Sequence, residues 1–260
     1  MAGSINPVQI HVGPSRLWLN VCAPASGSRL LIDANGVPQQ TVWAPTTQYG
    51  AGQMIVDSGG HIELCIQSGQ SKSGGAPGWP TTVNTTTTDG TVIWQLLNLF
   101  PVYTFVGATR GAANVMLSPK NLAIMADQAT AAIDAVMTAE IESIEAELLE
   151  SDFTRLANYV TQGTFGSGTD SGLPAGTQSY EEIAFGGTRS VPKMSIALIS
   201  PRRDVINKYV VLQLYIGYQA DQIQLPFTRE KETLFKIKYD GLWVDYRPIG
   251  DTVGKIYRQV

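Results

Sequence analysis

The chain has 260 residues, 18 basic and 22 acidic side chains, and a formal net charge of −4. Charged residues make up 15% of it, against roughly 25% in an ordinary soluble domain. That balance excludes a basic nucleic-acid binder, which needs a cationic footprint for phosphates. Wholesale disorder is excluded too, because 43% hydrophobic residues suffice for a core. So few charges on so long a chain point to surface hidden against a partner, copies of the same chain included.

The first segments alternate in the manner of strands: Val8–Val12, then Arg16–Val21 after a Gly-Pro-Ser turn, then Arg29–Asp33 before the turn signal Ala34-Asn35-Gly36. Met1–Pro7 shows neither the basic nor the apolar region of a signal peptide, so none is expected. From Val42 to Leu97 the composition shifts. Only Asp57, Glu63, Lys72 and Asp89 are charged there, Gly, Ser and Thr are dense, and three of the five Trp occur. Strand-like Met54–Val56 and Ile62–Ile66 flank Gly59-Gly60, and the stretch is expected to be a small β module with a Trp-rich core. The uncharged run between Asp89 and Arg110 reads as two buried strands broken at Asn98–Pro101, not a membrane helix.

Asn121–Val160 carries conflicting signals. Its Ala, Glu, Met and Leu favour helix, and neither Gly nor Pro interrupts it. Yet Glu142, Ile144, Ala146 and Leu148 alternate with Ser143, Glu145 and Glu147, a period of two that predicts a strand. Ser151 then caps a short helix over about 151–160, with Phe153, Leu156, Ala157 and Val160 on one face. Gly163–Gly176 is rich in breakers and is expected to be a long irregular interaction loop. Strands resume at Met194–Ile199, Tyr209–Tyr215, Gln222–Leu225 and Thr233–Tyr239, the last with Phe235, Ile237 and Tyr239 facing inward.

Motifs for chemistry are missing. No nucleophile elbow, phosphate loop, dinucleotide fingerprint or zinc-protease helix occurs, and Cys22, Cys65, His11 and His61 are isolated. An enzyme, a cofactor and a metal site are therefore not expected, and the two Cys read as buried free thiols.

Three segments together resemble the major tail tube proteins of long-tailed bacteriophages: Val106–Ala112 leading toward Met125–Gln128, the acidic strand Glu142–Leu148 running into Leu149–Leu156, and the late hairpin Gln222–Thr233. The order of elements is similar across 1–41 and 98–260, with 42–97 as an insertion similar to small β modules of phage tail and fibre proteins. The resemblance implies a mainly β fold, a tail-tube-like sandwich or barrel with one flanking helix. It implies six subunits per ring and rings stacked into a virion tail tube, assembled in the host cytoplasm. Tape measure, terminator and distal tail proteins would be partners, and DNA would pass during genome ejection without specific binding. Three placements follow as expectations. Ser143, Glu145 and Glu147 share a strand face and either line the bore, where carboxylates repel phosphates, or form an ordinary solvated face. Gly163, Phe165, Gly168 and Asp170 are candidates for contacts between rings. Trp43, Tyr49, Trp79 and Trp94 either pack the module's core or form a platform for cell-surface glycan. The alternative function is accordingly a carbohydrate-binding tail or capsid-decoration protein.

Overall fold

A computed structural model describes residues 15–99, 104–111, 113–124, 134–148, 163–173, 176–185, 191–220 and 235–260. The fold there is mainly β, with no helix, and therefore none long and apolar enough to cross a membrane, among the described residues. The expected helix at 151–160 and the segments Val8–Val12, Met125–Gln128 and Gln222–Thr233 lie outside them.

In chain order, β1 is Arg16–Leu19 and six strands fill the 42–97 region: β2 Gln48–Tyr49, β3 Met54–Val56, β4 Ile62–Gln67, β5 Gly69–Gln70, β6 Thr86–Asp89 and β7 Val92–Asn98. Then come β8 Thr104–Ala108, β9 Asn114–Ile124, β10 Asp134–Leu148, β11 Gly163–Leu173 and β12 Gly176–Phe185. The last four are β13 Met194–Pro201, β14 Tyr209–Gln219, β15 Phe235–Gly241 and β16 Gly254–Arg258.

The main sheet runs β8-β1-β13-β14-β15-β10-β9, with β16 added to β14. It returns on itself. Thr109, just past β8, bridges Leu148 at the end of β10, and the Arg110 amide donates to the Glu147 carbonyl at 2.9 Å. The strands from β8 round to β10 therefore close a barrel. Its interior takes alternate residues from each of them: Leu17 and Leu19, Val106, Ile144 to Leu148, Met194 to Leu198, Leu212 and Leu214, and Phe235 to Tyr239. Closure removes the open edges that a flat sheet would expose. It also explains the alternation: Phe235, Ile237 and Tyr239 fill the interior while Lys236 and Lys238 point out.

Two apolar clusters coat the outside of the barrel. In one, Leu30, Ile32 and Val37 cover Trp18, Ala197, Ile199, Tyr209 and Val211. In the other, Met54, Ile62, Leu64 and Leu97 of the module pack on Cys22, Ala23, Tyr215, Ile216 and Val244 of the barrel. The module is a four-stranded sheet, β3-β4-β7-β6, with a β2-β5 pair beside it. At its exit the buried Asn98 amide donates to Asn20 Oδ1 and to the Lys193 carbonyl, both at 2.9 Å.

Two expectations need correction, and one strand was not foreseen. Arg29–Asp33 is not a strand; only Ile32 bridges Pro38, because the Asp33–Gly36 turn folds the chain straight back. The stretch expected as an irregular loop over Gly163–Gly176 is, in its described part Gly163–Leu173, β11 of a long hairpin with β12. Gly166 and Gly168 are covered from the partner strand. A Cβ on Gly168 would lie 2.6 Å from the Tyr180 hydroxyl, and one on Gly166 would lie 2.9 Å from Glu182 Oε1, so large side chains on β12 shield the bare backbone. Finally, β16 carried no signal, since its five residues mix charge and apolar character on both faces.

Candidate functional site

The strand reading of Glu142–Leu148 holds, and β10 extends well beyond the barrel as one arm of a ribbon with β9. Close to the barrel, Ile144, Ala146 and Leu148 point inward. Ser143, Glu145 and Glu147 alternate with them on the outer face, where Ser143 is buried and the two carboxylates are half-exposed. Each carboxylate meets a lysine of β15 directly opposite: Glu145 with Lys238 at 3.4 Å and Glu147 with Lys236 at 3.5 Å. Glu145 and Glu147 are thus paired with cations 93 and 89 positions away in sequence. Glu142, on the other face, has its carboxyl raised above the ordinary value by burial and by the neighbouring Glu140.

Further out the ribbon changes character. The face that continues Glu145 and Ser143 carries Met116, Leu122, Ile124 and Val136, and the opposite face carries Leu117 and Met137; all six are exposed. Leu122 and Met137 are 60% and 57% accessible. An isolated two-stranded ribbon is marginally stable in water, and apolar side chains clustered on such an element mark an interaction surface.

Gly163, Phe165, Gly168 and Asp170 all lie on β11, opposite Phe185, Ile183, Tyr180 and Gln178 respectively. Phe165 and Tyr180 are exposed, and Ile183 packs against the barrel core, so the hairpin is anchored at that point and displays aromatic surface elsewhere.

The four module aromatics separate into two kinds. Tyr49 and Trp94 are buried with Ile55, Cys65 and Val92, their rings 4.8 Å apart and nearly perpendicular. Trp43 and Trp79 are partly buried against them. Asp89, itself buried, accepts both indole N–H groups, from Trp43 at 2.7 Å and Trp94 at 3.3 Å, and the Lys72 amide at 3.2 Å. This is core packing for Tyr49 and Trp94, which have no open ring face for a sugar. Cys22 and Cys65 are buried free thiols, and burial pushes both up to about 12.

One cluster gave no sequence signal. Arg247, with a fully buried side chain, donates to the Gly52 carbonyl at 2.8 Å, the Pro24 carbonyl at 3.0 Å and the Asp251 carbonyl at 3.0 Å. Its guanidinium also lies 3.6 Å from the Tyr215 ring centre and 3.3 Å from the Asp251 carboxylate. Asp251 accepts further from Ser26 and from the Tyr215 hydroxyl, with Lys255 at 3.5 Å. Burial alone would raise that carboxyl, but these hydrogen bonds and the two cations outweigh it and hold it at about 2. The cluster ties module, barrel and C-terminal loop together. Gly52 is required for it: its φ is +78°, and a Cβ there would lie 2.3 Å from Arg247 Cγ.

Among the described residues no three His, Cys, Asp or Glu side chains are grouped to hold a metal ion. Compared with known proteins, the chain matches no protein-family model, and no curated protein matches its sequence.

Proposed function

We propose that the chain is a non-enzymatic, self-assembling structural subunit, and that its assembly is the stacked-ring tail tube of a long-tailed phage virion. The observation that carries this reading is the β9–β10 ribbon, which leaves a closed barrel and exposes large apolar side chains on both faces. Side chains fill the barrel interior among the described residues, and the reading rests on what projects from it. Among the described residues the ribbon and the β11–β12 hairpin project, and a second copy of the chain supplies equivalent strand edges and apolar faces to cover them. In the assembled tube the partners are copies of itself and the terminal tail proteins, and DNA passes without being bound. The glycan-binding alternative is not favoured, because Tyr49 and Trp94 are closed into the module's core.

Negative-stain microscopy of the purified full chain tests this, with rings or tubes expected. Leu122→Glu with Val136→Glu should abolish them while leaving far-ultraviolet dichroism and melting unchanged, because both positions are exposed. A wild-type protein that stays monomeric at all concentrations, or a charged variant that assembles normally, would overturn the reading.

A further inference from the structure

Glu63 lies in the middle of the module's sheet, between Ile55 of β3 and Leu96 of β7. All three are 0% exposed, and neither carboxyl oxygen of Glu63 has a hydrogen-bond partner. Among the described residues no lysine or arginine is paired with it: Lys72 is the single Lys or Arg of 42–97 and is exposed. The ionisable groups around it can be named element by element. From the end of β3 comes Asp57, with its side chain almost fully buried. The Asp57 oxygens are already engaged, Oδ1 by the Gly59 and His61 amides at 2.8 Å each and Oδ2 by His61 Nδ1 at 3.2 Å. From β4 itself comes the inert thiol of Cys65. The facing stretch of β7 presents Gln95, Leu96 and Asn98, none of them ionisable. Asp89 is held in the aromatic core by the two indoles.

An unpaired carboxylate in such a place is very costly, whereas the neutral acid is tolerated. We infer that Glu63 is a proton-operated catch: the β3-β4-β7 sheet is closed while this side chain is uncharged, and its ionisation opens the module while the barrel stays folded. Burial first, and the Asp57 charge second, push the Glu63 carboxyl up to about 8. The folded module therefore holds the proton more tightly than the unfolded segment does. Its stability is complete below the ordinary carboxylate range, declines as pH rises, and is lost through about pH 8. Opening uncovers Tyr49 and Trp94, the rings that the closed module hides.

The test uses the full chain, as wild type, Glu63→Gln and Glu63→Leu. Amide exchange, corrected for intrinsic rates, is followed in Met54–Val56, Ile62–Gln67 and Val92–Asn98, and in Met194–Pro201 of the barrel as a reference. Wild-type protection in the module should fall by at least tenfold between roughly pH 6 and pH 8, since each pH unit below the folded value is worth up to a factor of ten. The variants should be flat over that range and the barrel strand unchanged in all three. Infrared spectra of the wild type give an answer even if a variant misfolds, through a protonated-carboxyl carbonyl band that survives at neutral pH. The inference is overturned if that band disappears together with those of the ordinary carboxylates. It is equally overturned if wild type and variants lose module protection in parallel. Neither result touches the assembly reading, which rests on the ribbon.

Discussion

Replacing Arg247 by Met tests whether the module and barrel are held as one body by a buried cation. Methionine keeps most of the apolar stem over Tyr215 and removes every side-chain N–H. The Gly52, Pro24 and Asp251 carbonyls lose their donor and the Asp251 carboxylate loses its closest buried cation. Breaking a buried pair by deleting one partner costs about 3–5 kcal/mol, because the remaining charge is left uncompensated. Lys255 and the Tyr215 and Ser26 hydroxyls stay on Asp251, so the lower half of that range applies. For a chain of this size each kcal/mol moves the melting midpoint by about 2–4 °C, so a drop on the order of 6–15 °C is expected in calorimetry. Asp251→Asn in the Arg247→Met background should then cost far less than it does alone, with a coupling of about 1–3 kcal/mol. A fall of less than about 1 kcal/mol, the worth of an exposed pair, would refute the claim that this cluster joins the two parts.

Three more outcomes are expected. The Asp251 carboxyl is held at about 2, below its ordinary 3.8, so its contribution is complete above the ordinary value and is lost as pH falls toward 2. That amounts to about 2 kcal/mol, and urea titrations of Asp251→Asn should lack this part of the wild-type acid slope. Trp94→Ala removes a side chain that touches Tyr49, Trp79 and Asp89. It should cost about 3–5 kcal/mol, with exchange protection lost in β3, β4 and β7 but kept in the barrel; uniform loss would show that the two parts unfold as one. Glu145→Gln with Glu147→Gln should change the melting free energy by less than about 1 kcal/mol per pair while leaving Lys236 and Lys238 unopposed. Such a variant should be retained on immobilised duplex DNA at low salt and released by added salt, whereas elution identical to wild type would show that this face carries no charge balance.

Much of the barrel was legible because its strands obey a period of two with one buried face. Phe235, Ile237 and Tyr239 against Lys236 and Lys238 is the plainest case. The same rule failed where burial is two-sided or the chain is poor in side chains. Ile62–Ile66 is strand-like in sequence, but nothing in it shows that the module buries both faces and Glu63 with them. β11 reads as a loop because Gly and Asp are depleted in strands, and Tyr180 and Glu182 on the partner cover the bare backbone of Gly168 and Gly166. Arg247 and Asp251 are four residues apart, but the carbonyls that define their role belong to Pro24 and Gly52, 223 and 195 positions away. No local pattern encodes a contact of that range.

Charge is where structure most alters the reading. The acidic run of β10 looked like a surface of one sign, the property a conduit for DNA requires. Beside it, in register, β15 places Lys238 opposite Glu145 and Lys236 opposite Glu147. The carboxylates are thus matched one for one, and the face they share is nearly neutral. In the tube proposed above, such a face would let a polyanion pass by holding no phosphate, through balance instead of repulsion. Balance has a consequence that repulsion lacks: loss of either carboxylate converts a passive face into a binding one. The lysines also explain why the strands stay in register, since a one-residue slip of β15 would bury both cations in the barrel and expose Phe235, Ile237 and Tyr239. The same four side chains therefore fix the fold and set the electrostatics of its outer face.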